Sequence, residues 1–157
     1  MRWFYGLANS PNFARFEFET KGVLQELDWL QLGARFYASF VSARDTPFFY
    51  QSSLGGSFLM RGFTEDRFVD RGAWTVEMEQ RIRLFRTHIF GVTAEWRADP
   101  FIAIGQVFSE RDRIVSHVRV AEGIGFRAFV QPNVLGRVDV ATAGEGLKVY
   151  VELGYPF

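Results

Sequence analysis

The stretch Trp74-Thr75-Val76-Glu77-Met78-Glu79-Gln80-Arg81-Ile82-Arg83-Leu84 decides the fold class. Its even positions are apolar except Gln80, and its odd positions are Thr75, Glu77, Glu79, Arg81 and Arg83. Side chains on a β-strand point alternately to opposite faces, so a period of two makes a ribbon with one apolar and one charged face. The same alternation continues in both directions. Toward the N-terminus, Leu30, Leu32, Ala34, Phe36, Ala38 and Phe40 alternate with Gln31, Gly33, Arg35, Tyr37 and Ser39, and Ala14, Phe16 and Phe18 alternate with Arg15, Glu17 and Glu19. Toward the C-terminus, Phe90, Val92, Ala94, Trp96, Ala98, Ile102 and Ile104 keep one face across Pro100. Val118, Val120, Ile124, Phe126 and Ala128 share another with Glu122 among them, and Val149, Val151, Leu153, Tyr155 and Phe157 line one side of the last segment.

This pattern predicts seven strands, over about 12–20, 28–41, 73–85, 89–108, 116–130, 135–142 and 147–157, with an eighth near 2–8 and a bulge at Pro100. Several reach the ~9–11 residues that a tilted membrane strand needs, well beyond the ~5–6 usual in soluble sheets. The apolar faces end in Trp, Tyr and Phe, as an interfacial aromatic girdle does. The expected fold is an all-β, antiparallel transmembrane barrel of about eight strands, one domain over 1–157, with a long irregular loop at about 42–72. Hairpin loops are usually 2–5 residues, so a loop of this length is expected to be functional. Eight strands enclose a lumen just filled by side chains, with no room for such a loop. The chain is therefore expected to be part of a larger barrel, a sheet whose edges need further strands, or else a tight eight-strand barrel with the loop outside.

Composition narrows the function. Eighteen basic and eighteen acidic residues leave no net charge, and no basic stripe marks a nucleic-acid surface. There is no Cys, which excludes disulfides and thiolate sites. His88 and His117 stand alone, without metal-ligand spacing. Gly123-x-Gly125-x-x-Ala128 fits a dinucleotide fingerprint only nominally, because it lies inside a strand with no helix to follow. No Gly-x-Ser-x-Gly elbow exists. No enzyme, cofactor or metal is expected. No apolar run approaches the ~20 residues of a membrane helix. Met1-Arg2-Trp3-Phe4-Tyr5 is too short and interrupted for a secretory signal, so an export signal is expected outside this sequence.

Five motifs occur in a fixed order: Ser53-Leu54-Gly55-Gly56 followed by Met60-Arg61-Gly62-Phe63; Glu79-Gln80-Arg81; Gly123-Ile124-Gly125-Phe126-Arg127; Gly136-Arg137-Val138-Asp139-Val140-Ala141; and Leu153-Gly154-Tyr155-Pro156-Phe157. In this the chain resembles the BamA/TamA-type outer-membrane assembly and translocation barrels, also called the bacterial surface-antigen family. It is similar to the C-terminal half of that family's sixteen-strand barrel. The resemblance implies a place in the bacterial outer membrane and a protein insertion, assembly or translocation factor acting by strand pairing at a lateral seam and by membrane perturbation. The implied partners are outer-membrane lipid, client outer-membrane or secreted proteins, the barrel-assembly machinery, and missing N-terminal strands with periplasmic domains. It also implies a loop folded toward the lumen, with Met60, Arg61, Gly62 and Phe63 as its lock. Val149, Val151, Leu153, Tyr155 and Phe157 would be the signal read by the assembly machinery.

One position departs from the family. Its strand after Glu-x-Arg usually reads Phe-x-Asp-x-Gly, with the aspartate facing the loop arginine; here Ala103 stands in that place. Glu77 or Glu79 is the expected replacement, and Arg81, Glu95, Asp99, Arg127 and Asp139 are further candidate lumen partners. Arg61 as an ordinary solvated loop arginine is the competing reading. Alternative functions are a small eight-strand structural or lipid-acting barrel, and a soluble lipocalin-like binder. The face assignment is explicit: Leu32, Phe36, Val76, Ile82, Ile124, Val138, Val140, Val151 and Leu153 outward, and Arg35, Glu79, Arg81, Arg127, Asp139 and Glu152 inward.

Overall fold

A computed structural model describes residues 2–4, 13–43, 46–89, 91–109, 114–130 and 134–154. Ten strands are present among them: β1 (Arg2–Phe4), β2 (Phe13–Leu27), β3 (Leu30–Val41), β4 (Ser52–Leu54), β5 (Phe68–Asp70), β6 (Gly72–Ile89), β7 (Val92–Phe108), β8 (Arg119–Val130), β9 (Val134–Thr142) and β10 (Leu147–Gly154). Eight form one antiparallel sheet in the order β1-β2-β3-β6-β7-β8-β9-β10. Among the described residues the tight barrel with an outside loop is not found: β1 and β10 are the two ends of the sheet, and the loop packs on one of its faces.

Register shows why the alternation works. Phe36 pairs Val76, Val76 pairs Ile104, and Ile104 pairs Val120, so the apolar set of each strand joins one continuous face. Ile124 pairs Val140, and Val138 pairs Val151, carrying that face to the last strand. Glu79 pairs Phe101 and Phe101 pairs Gly123, while Gly125 pairs Asp139 and Arg127 pairs Arg137, all on the opposite face. The two sets of residues expected to point apart do lie on opposite faces.

Several boundaries differ from the sequence reading. β2 runs on to Leu27 although its alternation weakens after Phe18, because pairing with β3 continues to Leu27↔Leu30. β6 extends to Ile89, and β7 begins at Val92 after Gly91, whose φ of 79° suits the tight turn. Pro100 makes no bulge. Glu79↔Phe101 and Ile82↔Ala98 keep the same register across it, so the ladder to β6 loses bonds there but not its alignment. The bulge falls between Arg83 and Phe85 instead. β8 starts at Arg119, not 116, because the Gln106 side chain accepts the backbone N–H groups of Ser116 and His117 at 2.9 Å each. The segments at 5–12 and 155–157, including Tyr155 and Phe157, lie outside the described residues.

The connection from Ser42 to Arg71 is not irregular throughout. It holds a 3-10 turn at Phe48–Tyr50 and the small β4-β5 sheet. It packs on the charged face of the large sheet. Leu54, Met60 and Phe63 of the loop meet Ala73, Ala103 and Ala121 of β6, β7 and β8, and these six form one buried apolar cluster. Alanines on the sheet leave the space that the larger loop side chains fill. The buried Ser39 and Ser52 hydroxyls, 2.8 Å apart, tie the loop to β3. On the face away from the loop, apolar side chains stay open: Val120 is 49% exposed, Phe126 48% and Val151 68%.

Candidate functional site

Met60-Arg61-Gly62-Phe63 forms a compact turn in which Met60 (φ 62°) and Gly62 (φ 115°) both occupy the left-handed side of backbone space. A methionine there is uncommon and costs energy that the surrounding contacts must offset. Met60 itself is fully buried, and Arg61 is only 1% exposed. Arg61 Nη2 donates to Glu77 Oε1 at 2.6 Å and to Glu79 Oε2 at 3.0 Å, while Nη1 donates to Asp139 Oδ2 at 2.8 Å. Its guanidinium carbon lies 3.5 Å from the centroid of the Phe101 ring, a cation–π contact. Burial opposes the Arg61 charge, but Glu77, Asp139 and Glu79 together hold its pKa above the ordinary arginine value.

The carboxylates are shared with a wider network. Arg127 Nη2 donates to Glu79 Oε2 at 2.9 Å, and Arg127 Nη1 lies 2.6 Å from Asp99 Oδ2. Arg137 bonds Asp139 through Nε at 2.7 Å and through Nη2, and reaches Glu152 at 3.2 Å. Arg81 Nε donates to Glu79 Oε1 at 3.1 Å. Arg61, Arg81, Arg127 and Arg137 thus meet Glu77, Glu79, Asp99 and Asp139, four cations against four anions, on β6, β7, β8, β9 and the loop. Buried charges are tolerable when each is paired in this way. Among the described residues, no three or more His, Asp or Glu side chains converge so as to hold a metal ion.

Of the candidate partners, Glu77, Glu79 and Asp139 contact Arg61 directly, and Arg81, Asp99 and Arg127 surround them. Glu95 does not join; it pairs with Arg97 at 2.6 Å and Arg86 at 2.8 Å. Ala103 is buried in the same apolar cluster as Met60, so this small residue serves packing and cannot pair with Arg61. Val149, Val151 and Leu153 are exposed on the free face.

Sequence reasoning missed Phe101, Tyr150 and the part played by glycines on the charged face. A Cβ at Gly123 would lie 2.6 Å from the Phe101 ring, and one at Gly125 would lie 2.3 Å from Arg127 Nη1 and 2.5 Å from Asp139 Oδ1. Each glycine is therefore a seat: Gly123 for the ring beneath Arg61, Gly125 for the guanidinium that bridges Asp99 and Glu79. The signal was a Gly-x-Gly pair on the strand face that also carries Arg119 and Arg127.

These seats give a direct expectation. Gly125→Ala should destabilise the sheet by about 1–3 kcal/mol, because the added methyl displaces Arg127 and a buried carboxylate loses its partner. Gly136→Ala is the control, since its Cβ would meet only Leu153 at 3.7 Å. Urea unfolding midpoints of the two variants in detergent check the contrast; equal midpoints would show that Arg127 has other places to go.

Fold and site define an antiparallel sheet with an apolar free face and a charged face partly covered by a loop. No family model matches the chain, and no curated protein is significantly similar to it.

Proposed function

We propose that this chain is the C-terminal part of an outer-membrane β-barrel from a protein insertion, assembly or translocation factor. The observation that carries the reading is the inversion of its faces. Charged residues are buried under the loop, while Val76, Ile104, Val120, Phe126 and Val151 are exposed on the other side. An extended apolar face is unfavourable in water and favourable against lipid tails. Strand lengths of 18 residues in β6 and 17 in β7 suffice to cross a bilayer when tilted. In lipid an unpaired edge is not tolerated, so further strands must join β1 and β10. Those two strands run antiparallel to each other, given six antiparallel steps from β2 to β10 and one from β2 to β1. An even number of added strands therefore closes an all-antiparallel barrel.

The choice of insertion or translocation factor rests on the resemblance of the ordered motifs, together with Arg61 seated among carboxylates. Its mechanism is mechanical. A seam beside the last strand opens, and a client strand pairs with the exposed backbone edge, as in β-augmentation. No covalent step is involved. The C-terminal stripe from Val149 to Phe157 is read by the host's assembly machinery, and periplasmic domains precede the barrel in the complete protein.

The deciding experiment is deletion of the complete gene, followed by quantification of the outer-membrane proteome. A selective loss of β-barrel or secreted proteins, restored by the wild-type gene, is expected. An unchanged outer-membrane proteome, with the protein itself in the membrane fraction, would leave a structural or lipid-acting barrel and end the insertion reading.

A further inference from the structure

We infer that the loop holds the edge hairpin β9–β10, with Tyr150 as the tie, so that the seating of the loop and the position of the sheet's last strand are coupled. β10 has eight residues and among the described residues pairs only with β9, which makes it the least supported long strand of the sheet. Three ties from the loop supplement that single ladder. The Tyr150 hydroxyl donates to the Phe63 carbonyl at 2.7 Å and accepts from the Gly62 N–H at 3.2 Å. Arg67 pairs with Glu145, in the turn between β9 and β10, at 3.0 Å. Arg61 reaches Asp139 on β9 at 2.8 Å. The backbone of the loop lies close as well, for a Cβ on Gly62 would be 3.1 Å from the Thr142 carbonyl and 3.3 Å from Ala143 Cβ.

The geometry gives the coupling a direction. Arg61, Gly62 and Phe63 are consecutive, so the contacts to Glu77 and Glu79 on β6 and those to Tyr150 on β10 belong to one short turn. That turn spans from β6 to β10 across three intervening strands. Moving β10 away from β9 must break the Tyr150 bonds or pull the turn off β6. By linkage the reverse holds: a turn that leaves its seat removes support from β10. Tyr150 is therefore a positioning residue for the edge. The inference concerns how the edge is held and stands whether or not a client strand pairs there, so its test and the proteome test fail independently.

The test is amide hydrogen exchange of the complete protein in detergent micelles or lipid, comparing wild type, Tyr150→Phe and Tyr37→Phe. The phenyl group keeps the ring and deletes only the hydroxyl. The control removes a hydroxyl on the same face that bonds Glu17 at 3.3 Å, far from the edge hairpin. Tyr150→Phe is expected to speed exchange about five- to ten-fold in both 58–67 and 146–154, the effect of about one net hydrogen bond, with β6–β7 unchanged. Faster exchange in one segment without the other, or in neither, overturns the coupling. Should Tyr150→Phe fail to fold, Arg67→Gln carries the same comparison: a smaller paired rise supports the inference, and an unchanged 146–154 overturns it.

Discussion

Arg61→Ala is expected to destabilise the folded sheet by about 3–5 kcal/mol, the usual consequence of removing one partner from a buried ionic cluster. Arg61 is 1% exposed and, among the described residues, is the one loop cation that meets Glu77, Glu79 and Asp139 together. Without it, those three carboxylates remain in a confined space. Arg81, Arg127 and Arg137 are already engaged with Glu79, Asp99 and Asp139, so Glu77 is left poorest in partners. Arg61→Lys should fall between alanine and wild type. A single ammonium cannot occupy the Nη1 and Nη2 positions at once, and it loses the guanidinium's close contact with the Phe101 ring. The measurement is the temperature at which the detergent-gel mobility shifts to that of the unfolded chain, with urea midpoints alongside. A solvated loop arginine would cost under ~1 kcal/mol, so wild-type values for Arg61→Ala would reduce the motif to a surface turn.

Ile124→Arg should cost about 2–4 kcal/mol when the protein folds into lipid bilayers, and little in a sheet that faces water. Ile124 lies on the free face between Pro100 and Val140, and it is 36% exposed, so the folded protein offers the new side chain room. The penalty can then come only from the medium, since an arginine at mid-depth must be desolvated or deform the bilayer. Glu122→Arg provides the internal comparison. Glu122 is the carboxylate of the same face, nearer the start of β8, where a charge is already accommodated. Its replacement should cost about 0–1 kcal/mol, as expected near a membrane boundary. Folding into lipid vesicles, followed by the fluorescence of the four tryptophans, gives both values. Equal and small effects at 122 and 124 would remove the membrane reading of this face.

Much of the architecture was legible because strand alternation is a local property. A period of two assigns each side chain to a face without knowledge of its neighbours, so Arg35, Glu79, Arg127 and Asp139 separate from Phe36, Val76, Phe126 and Val138 by parity alone. The loop was legible for a similar reason: thirty residues without alternation cannot extend a sheet. Parity does not set the offset between strands, and the departures of the structure from the reading arise there. The end of β2 at Leu27, the bulge near Leu84 and the late start of β8 all depend on which residue of a neighbour lies opposite, or on a side chain such as Gln106 taking up backbone donors.

The sequence by itself determined that this chain is all-β, that one face of its sheet is apolar and the other charged, and that an arginine sits in a glycine-flanked turn within its longest loop. Tertiary structure alone decided which acids receive that arginine. Asp139 is seventy-eight residues from Arg61 and Glu77 sixteen, yet both bond the same guanidinium. Local pattern carries no information on such a meeting, because it follows from the register of β6 to β9 and from the depth to which the loop sinks. That depth is set by packing: Ala73, Ala103 and Ala121 leave room for Leu54, Met60 and Phe63, and the descending turn brings Arg61 to the level of Phe101 and its three carboxylates.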